Sequence, residues 1–392
     1  MKAGWRVRKF GEVCELKKGK KPVLSTTPVN GYKPYLVAKY LRGAEPVEFA
    51  SVSDKNSISV GQREIIIICD GSNSGETFIG FDGILSSTMA KIAHGEELDN
   101  KFLMHFLDSL FEQFNSSKTG SAIPHLDLVA LRDQNLPMPP IPEQQRIVGI
   151  LDAAFDGIAT AKANAEQNLQ NARALFESHL QSVFNQRGEG WVDKPLSELC
   201  DIKHGFAFKS EFFTSDGDYV LLTPGNFYES GGYRDRGEKQ KYYVGEIPRD
   251  YVLKEGDLLV AMTEQAAGLL GSPILVPESD KFLHNQRLGL VTKKPDVPWI
   301  NEFFFHVFNT QTVRKEIHDS ASGVKVRHTS PTKIGEVVVS FPTSISEQRA
   351  IVAVLENLTE ETRHLESLYQ RKLAALDELK KSLLHQAFAG AL

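Results

Sequence analysis

The chain has 392 residues, 41% of them hydrophobic and 24% charged, with a formal net charge of -5 and a pI near 6.2. That composition fits an ordinary globular protein with room for two or three domains, and it excludes fibrous and disordered classes. No apolar run reaches the roughly 18 residues that a membrane span needs, and Met1 to Trp5 leads straight into patterned sequence rather than a secretory leader, so a cytoplasmic protein is expected.

The first segment, Gly4 to Gly19 (GWRVRKFGEVCELKKG), lies in a basic stretch. Residues 1 to 22 hold Lys2, Arg6, Arg8, Lys9, Lys17, Lys18, Lys20 and Lys21 against Glu12 and Glu15, a local sum of +6. A solvated surface and a phosphate-facing patch both account for it, although the overall charge does not announce a nucleic-acid binder. Glu64 to Cys69 (EIIIIC) reads as a strand. Asp70 to Gly75 (DGSNSG) follows as a turn whose amides could cradle a phosphate through Ser72, Asn73 and Ser74, but it lacks the lysine of a nucleotide loop. Lys101 to Leu107 reads as a short amphipathic helix with core aromatics, so His105 is not taken as a ligand. A polar loop, Lys118 to His125 (KTGSAIPH), comes next. Pro137 to Pro142 (PMPPIP) then forms a rigid exit, because successive prolines hold the backbone near polyproline and exclude helix.

A long helix is expected from Pro142-Glu143, where a carboxylate in the first turn suits the helix dipole. Its apolar positions Ile147, Ile150, Leu151, Ala154, Ile158, Leu169, Ala172, Leu175, Phe176, Leu180, Val183 and Phe184 advance by three and four, a coiled-coil pattern. At 1.5 Å per residue, about 40 residues make a helix roughly 60 Å long.

From Gly190 the chain is written a second time. Gly190 to Gly205 (GWVDKPLSELCDIKHG) echoes Gly4 to Gly19 at an offset of 186, pairing Trp5 with Trp191, Cys14 with Cys200, Lys17 with Lys203 and Gly19 with Gly205. Asp257 to Met262 is a second strand-like run, Asn301 to Phe308 a second aromatic helix in which His306 is core, and Ala321 to His328 a second polar loop. In both loops a histidine lies five residues after a glycine. Phe341 to Ser344 is a weaker exit. The second long helix carries Ile351, Val354, Leu355, Leu358, Leu365, Leu368, Leu373, Leu376, Leu379, Leu383 and Phe388. Its start, Glu347 to Leu355, matches Glu143 to Leu151 in five of nine positions at an offset of 204, so the second globular segment is 18 residues longer (204 minus 186). Neither long helix can bury its stripe alone. Antiparallel pairing of the two would set the globular halves around a pseudo-twofold axis.

Cys14, Cys69 and Cys200 form no CxxC pair, which argues against a disulfide framework or a cysteine zinc site, and Cys14 and Cys200 read as small buried hydrophobes. The chain lacks a P-loop, HExxH, GxSxG, a glycine-rich cofactor loop and the Asn/Asp-Pro-Pro-aromatic tetrapeptide of amino-methyltransferases. His125, His179 and His284 have no ligand spacing. No catalytic or metal residue is therefore assigned.

The order of variable domain, proline-rich exit, Glu-Gln-x-x-Ile-Val helix, then the same unit again resembles the specificity subunits of type I restriction-modification systems across essentially the whole chain. Leu136 to Val148 (LPMPPIPEQQRIV) is the most specific part. The resemblance implies an α+β fold of two mixed α/β target-recognition domains joined by two long antiparallel coiled-coil helices: residues 1–141 and 188–345 as the domains, 142–187 and 346–392 as the spacer. It further implies that each domain reads one half of a split, non-palindromic site in double-stranded DNA, with half-site centres near one helical turn, about 34 to 36 Å, apart. The helices would dock two methyltransferase subunits, restriction subunits would join them, and S-adenosylmethionine, ATP and Mg would belong to those partners, none to this chain.

Candidate DNA contacts are Lys20, Lys21, Ser72, Asn73, Ser74, Lys118, Ser121 and His125 in the first half and Asn226, Tyr228, Lys325, Arg327 and His328 in the second, polar and basic groups suited to phosphates and base edges. Candidate partner and spacer positions are Glu143, Gln144, Ile147, Leu151 and Leu180, then Glu347, Gln348, Ile351, Leu355 and Leu384. Two other readings stand beside this one: the specificity subunit of a related system in which methyltransferase and nuclease are fused, and a coiled-coil adaptor that does not bind DNA.

Overall fold

The computed structural model describes residues 4–116, 125–265 and 268–392. The chain forms two compact units, one made of the residues up to Gln167 together with Tyr369–Leu392, the other of Asn168–Leu368. Among the described residues no helix is long and apolar enough to cross a membrane.

In the first unit a four-stranded antiparallel sheet has the order Cys14–Lys18, Met89–His94, Ile65–Ile68, Thr77–Phe78. Side chains alternate across a strand, and here both faces are covered. Ile65 and Ile67 enter the core shared with the helix Asn100–Ser116, while Ile66 and Ile68 enter a smaller core on the other face. That double burial explains the uninterrupted apolar run. A second sheet has the order Leu24–Ser25, Phe49–Ser51, Tyr32–Leu36, Gly83–Leu85, Ser59–Val60, with one parallel pairing, Tyr35 beside Ile84. A two-stranded ribbon, Arg6–Lys9 against Asn135–Met138, ties the two ends of the globular part together. The expected proline exit is extended, as read, but it is a strand. Pro137 stands opposite Val7 in a ribbon of edges, where a missing N–H is tolerated, and the helix begins at Ile141.

The second unit repeats this plan. Its main sheet runs Cys200–His204, Leu288–Lys293, Leu258–Ala261, Pro273–Leu275, and Leu258 and Val260 face one core while Leu259 and Ala261 face another. Trp191–Pro195 pairs with Val338–Pro342 as the closing ribbon, and Val220 lies parallel to Phe282 in the smaller sheet. Equivalent residues differ by 186 at Gly19/Gly205 but by 199 at Met89/Leu288, so most of the extra length falls in the smaller sheet and its surrounding turns. Cys14, Cys69 and Cys200 are free and buried, and burial pushes all three thiols well above their usual range.

The two long helices, Ile141–Asn185 and Ile345–Ala389, each contribute to both units. In the first unit Ile147, Val148 and Leu151 share a core with Leu384 and Ala387, and Lys162–Asp377 (2.7 Å) with Arg146 bonded to the Leu392 carbonyl (2.8 Å) makes the pairing antiparallel. Phe388 packs edge-on to Phe102 and Phe106, centroids 5.2 and 5.4 Å away. In the second unit Leu180 and Phe184 share a core with Val352 and Leu355, and Phe184 meets Phe303 at 5.5 Å. Repeat-matched Phe184 and Phe388 thus do the same work. The buried stripe is narrower than the apolar pattern suggests: Leu151, Ile158 and Ala165 step by seven and are buried, whereas Ile150, Leu175, Val354, Leu365, Leu368 and Leu379 stay exposed.

Candidate nucleic-acid interface

In each unit one end of the main sheet gathers polar side chains on an equivalent backbone. Gly19 N–H donates to Met89 O (2.8 Å) and Gly205 N–H to Leu288 O (3.3 Å). A side chain at either glycine would drive its Cβ into a backbone carbonyl, Ser86 in one unit and Asn285 in the other. The repeated glycine is therefore a requirement of close backbone approach. Asp70 lies two residues past the strand Ile65–Ile68 and Thr263 two past Leu258–Ala261, and each of these residues bridges antiparallel to the repeated histidine, His125 or His328. Leu126 N–H donates to Cys69 O (2.7 Å), and Thr329 N–H donates to Met262 O (3.0 Å). The histidines that recur in the sequence are thus matched in space.

Their chemistry differs. In the first unit His125 is exposed, and its Nδ1 donates to Asp70 Oδ1 (2.8 Å), while Lys18 Nζ lies 3.1 Å from Asp70 Oδ2. Burial alone would raise the Asp70 carboxyl, but the bonds from His125 and Lys18 prevail and hold it below its usual range. In the second unit His328 Nδ1 lies 3.2 Å from Thr263 Oγ1, and the position matched to Lys18 is His204. His204, Thr263, Gln286, Arg287, His328 and Thr329 line a cleft of about 450 Å³.

Other expected contacts fall elsewhere. Lys20, Lys21 and Lys325 are exposed and make no ion pair among the described residues. Much of the rest of the N-terminal basic cluster is neutralised locally, Arg6 and Arg8 by Glu97 and Lys9 by Asp133. Arg327 is half-buried, and its Nη2 donates to the His318 carbonyl (2.6 Å), so it braces the loop instead of facing a groove. Its strand neighbour Glu264 is buried and accepts the amides of Gly268, Leu269 and Leu270 at 3.1, 3.0 and 2.9 Å. Asn226 is corrected to a structural residue: it is 1% exposed, accepts from Thr223 N–H (3.0 Å) and donates to Gln240 Oε1 (2.9 Å). Tyr228 is exposed beneath Arg234, at 5.9 Å. In the loop 70–75 the amides of Asp70, Ser74 and Gly75 are taken by the Thr88, Gly71 and Ile68 carbonyls, Ser74 is buried, and Ser72 and Asn73 are exposed on a hairpin turn. Lys118 and Ser121 lie outside the described residues.

Among the spacer positions, Ile147, Leu151, Leu180, Leu355 and Leu384 are buried and Ile351 half-buried. Gln144 and Gln348 are fully buried clamps rather than docking groups. Gln144 accepts from Asp99 N–H (2.8 Å) and donates to Glu97 O (2.9 Å) and Pro139 O (2.8 Å). Gln348 does the same with Ile300 N–H (3.1 Å), Pro298 O and Pro342 O (both 2.9 Å). Each ties the start of a long helix to the start of the aromatic helix of its own unit. Glu143 pairs with Arg146 (2.7 Å), and Glu347 accepts from Trp191 Nε1 (2.8 Å). Sequence reading missed His204, Gln286 and Arg287; the signal available was their matched distance from the repeated glycine and strand.

Comparison with known proteins agrees with this duplicated plan. The family model of the type I restriction modification DNA specificity domain matches residues 2–171 and again 188–373. The chain is 26% identical over 402 residues to the type I restriction enzyme MjaVIII specificity subunit of Methanocaldococcus jannaschii, covering 98% of this chain and 92% of that one. It is 25% identical over 313 residues to the type I restriction enzyme EcoKI specificity subunit of Escherichia coli strain K12, covering 74% and 65%. In fold it is similar to a chain of a type I R-M system (TM-score 0.77, 19% identity, 100% and 99% covered) and to the HsdS subunit from Thermoanaerobacter tengcongensis (TM-score 0.60, 19% identity, 100% and 98% covered). The chain belongs to the type I restriction-modification DNA specificity family, as a specificity subunit with two DNA specificity domains.

Proposed function

We propose that each globular domain reads one half of a bipartite, interrupted, non-palindromic site in double-stranded DNA, using the sheet end that carries the repeated histidine. The observation that carries this reading is the matched pair of polar faces, built on identical backbone contacts but bearing different side chains. The same scaffold with different donors and acceptors suits two unlike half-sites. The paired helices serve as the spacer between half-sites, and their exposed apolar side chains, Ile150 and Leu379 in one unit and Leu175, Val354, Leu365 and Leu368 in the other, supply surface for two methyltransferase subunits. The chain acts in the cytoplasm as a non-catalytic subunit of an adenine-N6 methyltransferase. Restriction subunits add ATP-dependent cleavage, and S-adenosylmethionine, ATP and Mg bind on the partners, which also supply much of the phosphate contact that a net charge of -5 does not.

The test is single-molecule sequencing of modified adenines in a strain with and without this gene. Loss of methylation at one interrupted two-part motif supports the reading. An unchanged methylome in cells that express the chain and its methyltransferase refutes it and favours the adaptor reading.

A further inference from the structure

If both domains meet DNA with one scaffold, their base preferences part where the scaffold carries different side chains. The sharpest such position is Thr88 in the first domain and Arg287 in the second, whose equivalence rests on four matched contacts. Met89 N–H donates to Ser86 O (3.1 Å) as Leu288 N–H does to Asn285 O (3.0 Å). Thr88 O accepts from Cys69 N–H (2.8 Å) as Arg287 O does from Met262 N–H (3.0 Å). Thr88 N–H is held by Ser86 Oγ (3.3 Å) as Arg287 N–H is by Asn285 Oδ1 (3.1 Å). The following strands then pair in register with Cys14–Lys18 and Cys200–His204.

On that common turn the side chains do opposite things. Thr88 Oγ1 is 3.0 Å from Ser86 Oγ and has its bonding satisfied locally. Arg287 is exposed, and its guanidinium makes no hydrogen bond or ion pair among the described residues. Among the described residues no carboxylate lines that cleft, whereas the matching face of the first domain contains Asp70, already bound by Lys18 and His125. The backbone beneath this guanidinium is fixed by three hydrogen bonds, so binding has only the side chain to order, and its planar fork of donors is itself rigid. Its matching acceptor pairs are guanine O6 with N7 or two phosphate oxygens. Gln286, exposed on the same turn, favours the base edge: a neutral amide carries no charge to match a phosphate and makes its own two-point contact with adenine, so adjacent Gln and Arg forks suit neighbouring base edges.

We propose that Arg287 is a specificity-determining residue of the second domain, reading one guanine through O6 and N7, and that the first domain has no such requirement at the corresponding place. The inference rests on the DNA-reading function proposed above.

The experiment uses the full chain assembled with its methyltransferase partner. Binding and methylation are measured on duplexes carrying the genomic motif, with each guanine replaced in turn by 7-deazaguanine, which lacks the N7 acceptor. The wild-type complex should lose on the order of 10- to 100-fold at one guanine of one half-site. Arg287→Ala should lose a similar factor on native DNA and become indifferent to 7-deazaguanine at that position, with methyltransferase assembly unchanged. Arg287→Lys should keep affinity but discriminate less. Arg287→Ala that weakens all duplexes alike and lowers the salt slope by about one would mark a phosphate contact and overturn the proposal. So would a variant that still responds to every 7-deazaguanine. A wild-type complex that binds the motif no better than unrelated DNA would overturn the DNA-reading function, and this proposal with it, before any substitution is made.

Discussion

Replacing Gln144 by leucine tests whether the Glu-Gln signature at the helix start is a clamp or a docking group. The glutamine is fully buried and makes three hydrogen bonds, at 2.8, 2.9 and 2.8 Å, to Asp99 N–H, Glu97 O and Pro139 O. Leucine has a similar volume, so the loss is one of bonding rather than space. Three groups lose their partner, the Pro139 carbonyl in a buried bond and Asp99 N–H and the Glu97 carbonyl in part-buried ones, so the cost is near the lower end, about 1 to 2 kcal/mol each, and leucine's apolar burial returns about 1 to 2. The net expectation is about 3 kcal/mol in the first unit. For a domain of this size that lowers the melting midpoint by roughly 6 to 12 °C. Differential scanning calorimetry of the isolated chain measures it, with Gln145→Leu, at an exposed neighbour, as the control expected within about 0.5 kcal/mol. A midpoint for Gln144→Leu no lower than that of the control would refute the clamp, and a normal midpoint with lost methyltransferase binding would restore the docking role.

Three further expectations follow from the same geometry. Leu384→Asp places a carboxylate in the core where Leu384 is 4% exposed, so the first unit should unfold below the second, and methyltransferase assembly should fail with it; a soluble variant with native melting would refute that packing. Gly205→Ala must displace the Asn285 carbonyl that its Cβ meets, and with it the turn carrying Arg287. It should therefore impair one half-site while the other is read normally, a pattern that methylation of hybrid duplexes resolves and that equal loss of both half-sites would refute. His306 is buried, and burial lowers its pKa to about 4, below the unfolded value near 6.5. The unfolded chain therefore binds the proton first, and stability is lost as pH falls from about 6.5 toward 4, on the order of 3 kcal/mol in all. His306→Phe should flatten that limb of a stability-against-pH curve, and an unchanged slope would refute the assignment.

How far the sequence could be read depended on whether a feature is local or made by pairing. The repeat, the two long helices and the aromatic helices were legible because each is a pattern of side chains along one segment. The glycine and histidine echoes were legible as pairs, and the structure supplies their reason: a carbonyl too close for a Cβ, and an antiparallel bridge to Asp70 or Thr263. What escaped was whatever depends on partners distant in the chain. Arg327 looks like a groove reader until His318 takes its guanidinium, and Asn226 until Gln240 and Thr223 surround it. In the Ser72–Ser74 loop the Ser74 side chain is buried and its amide is closed on the Gly71 carbonyl, which no local pattern announces. Conversely, His204 and Arg287 occupy unremarked positions and gain meaning only when two strand ends bring them to one cleft.

Duplication inside one chain has a consequence that assembly from two identical chains would not. In a symmetric dimer any change in a reading residue appears in both half-sites at once, which holds the recognised sequence palindromic. Here the backbone contacts that set each sheet end have the same partners, from the glycine amide to the turn before the central strand, while the side chains they carry differ: Lys18 against His204, Asp70 against Thr263, Thr88 against Arg287. The residues that hold the fold have not been free to follow. Gln144 and Gln348 make the same three bonds, and Phe184 and Phe388 enter matching aromatic clusters. The division is physical. A clamp glutamine has both amide protons and its oxygen bonded to backbone, so an apolar substitution leaves those backbone groups without their partner. An exposed fork such as Arg287 has no partner to lose among the described residues, and on the reading proposed above its replacement changes what is read at one half-site without changing what is folded.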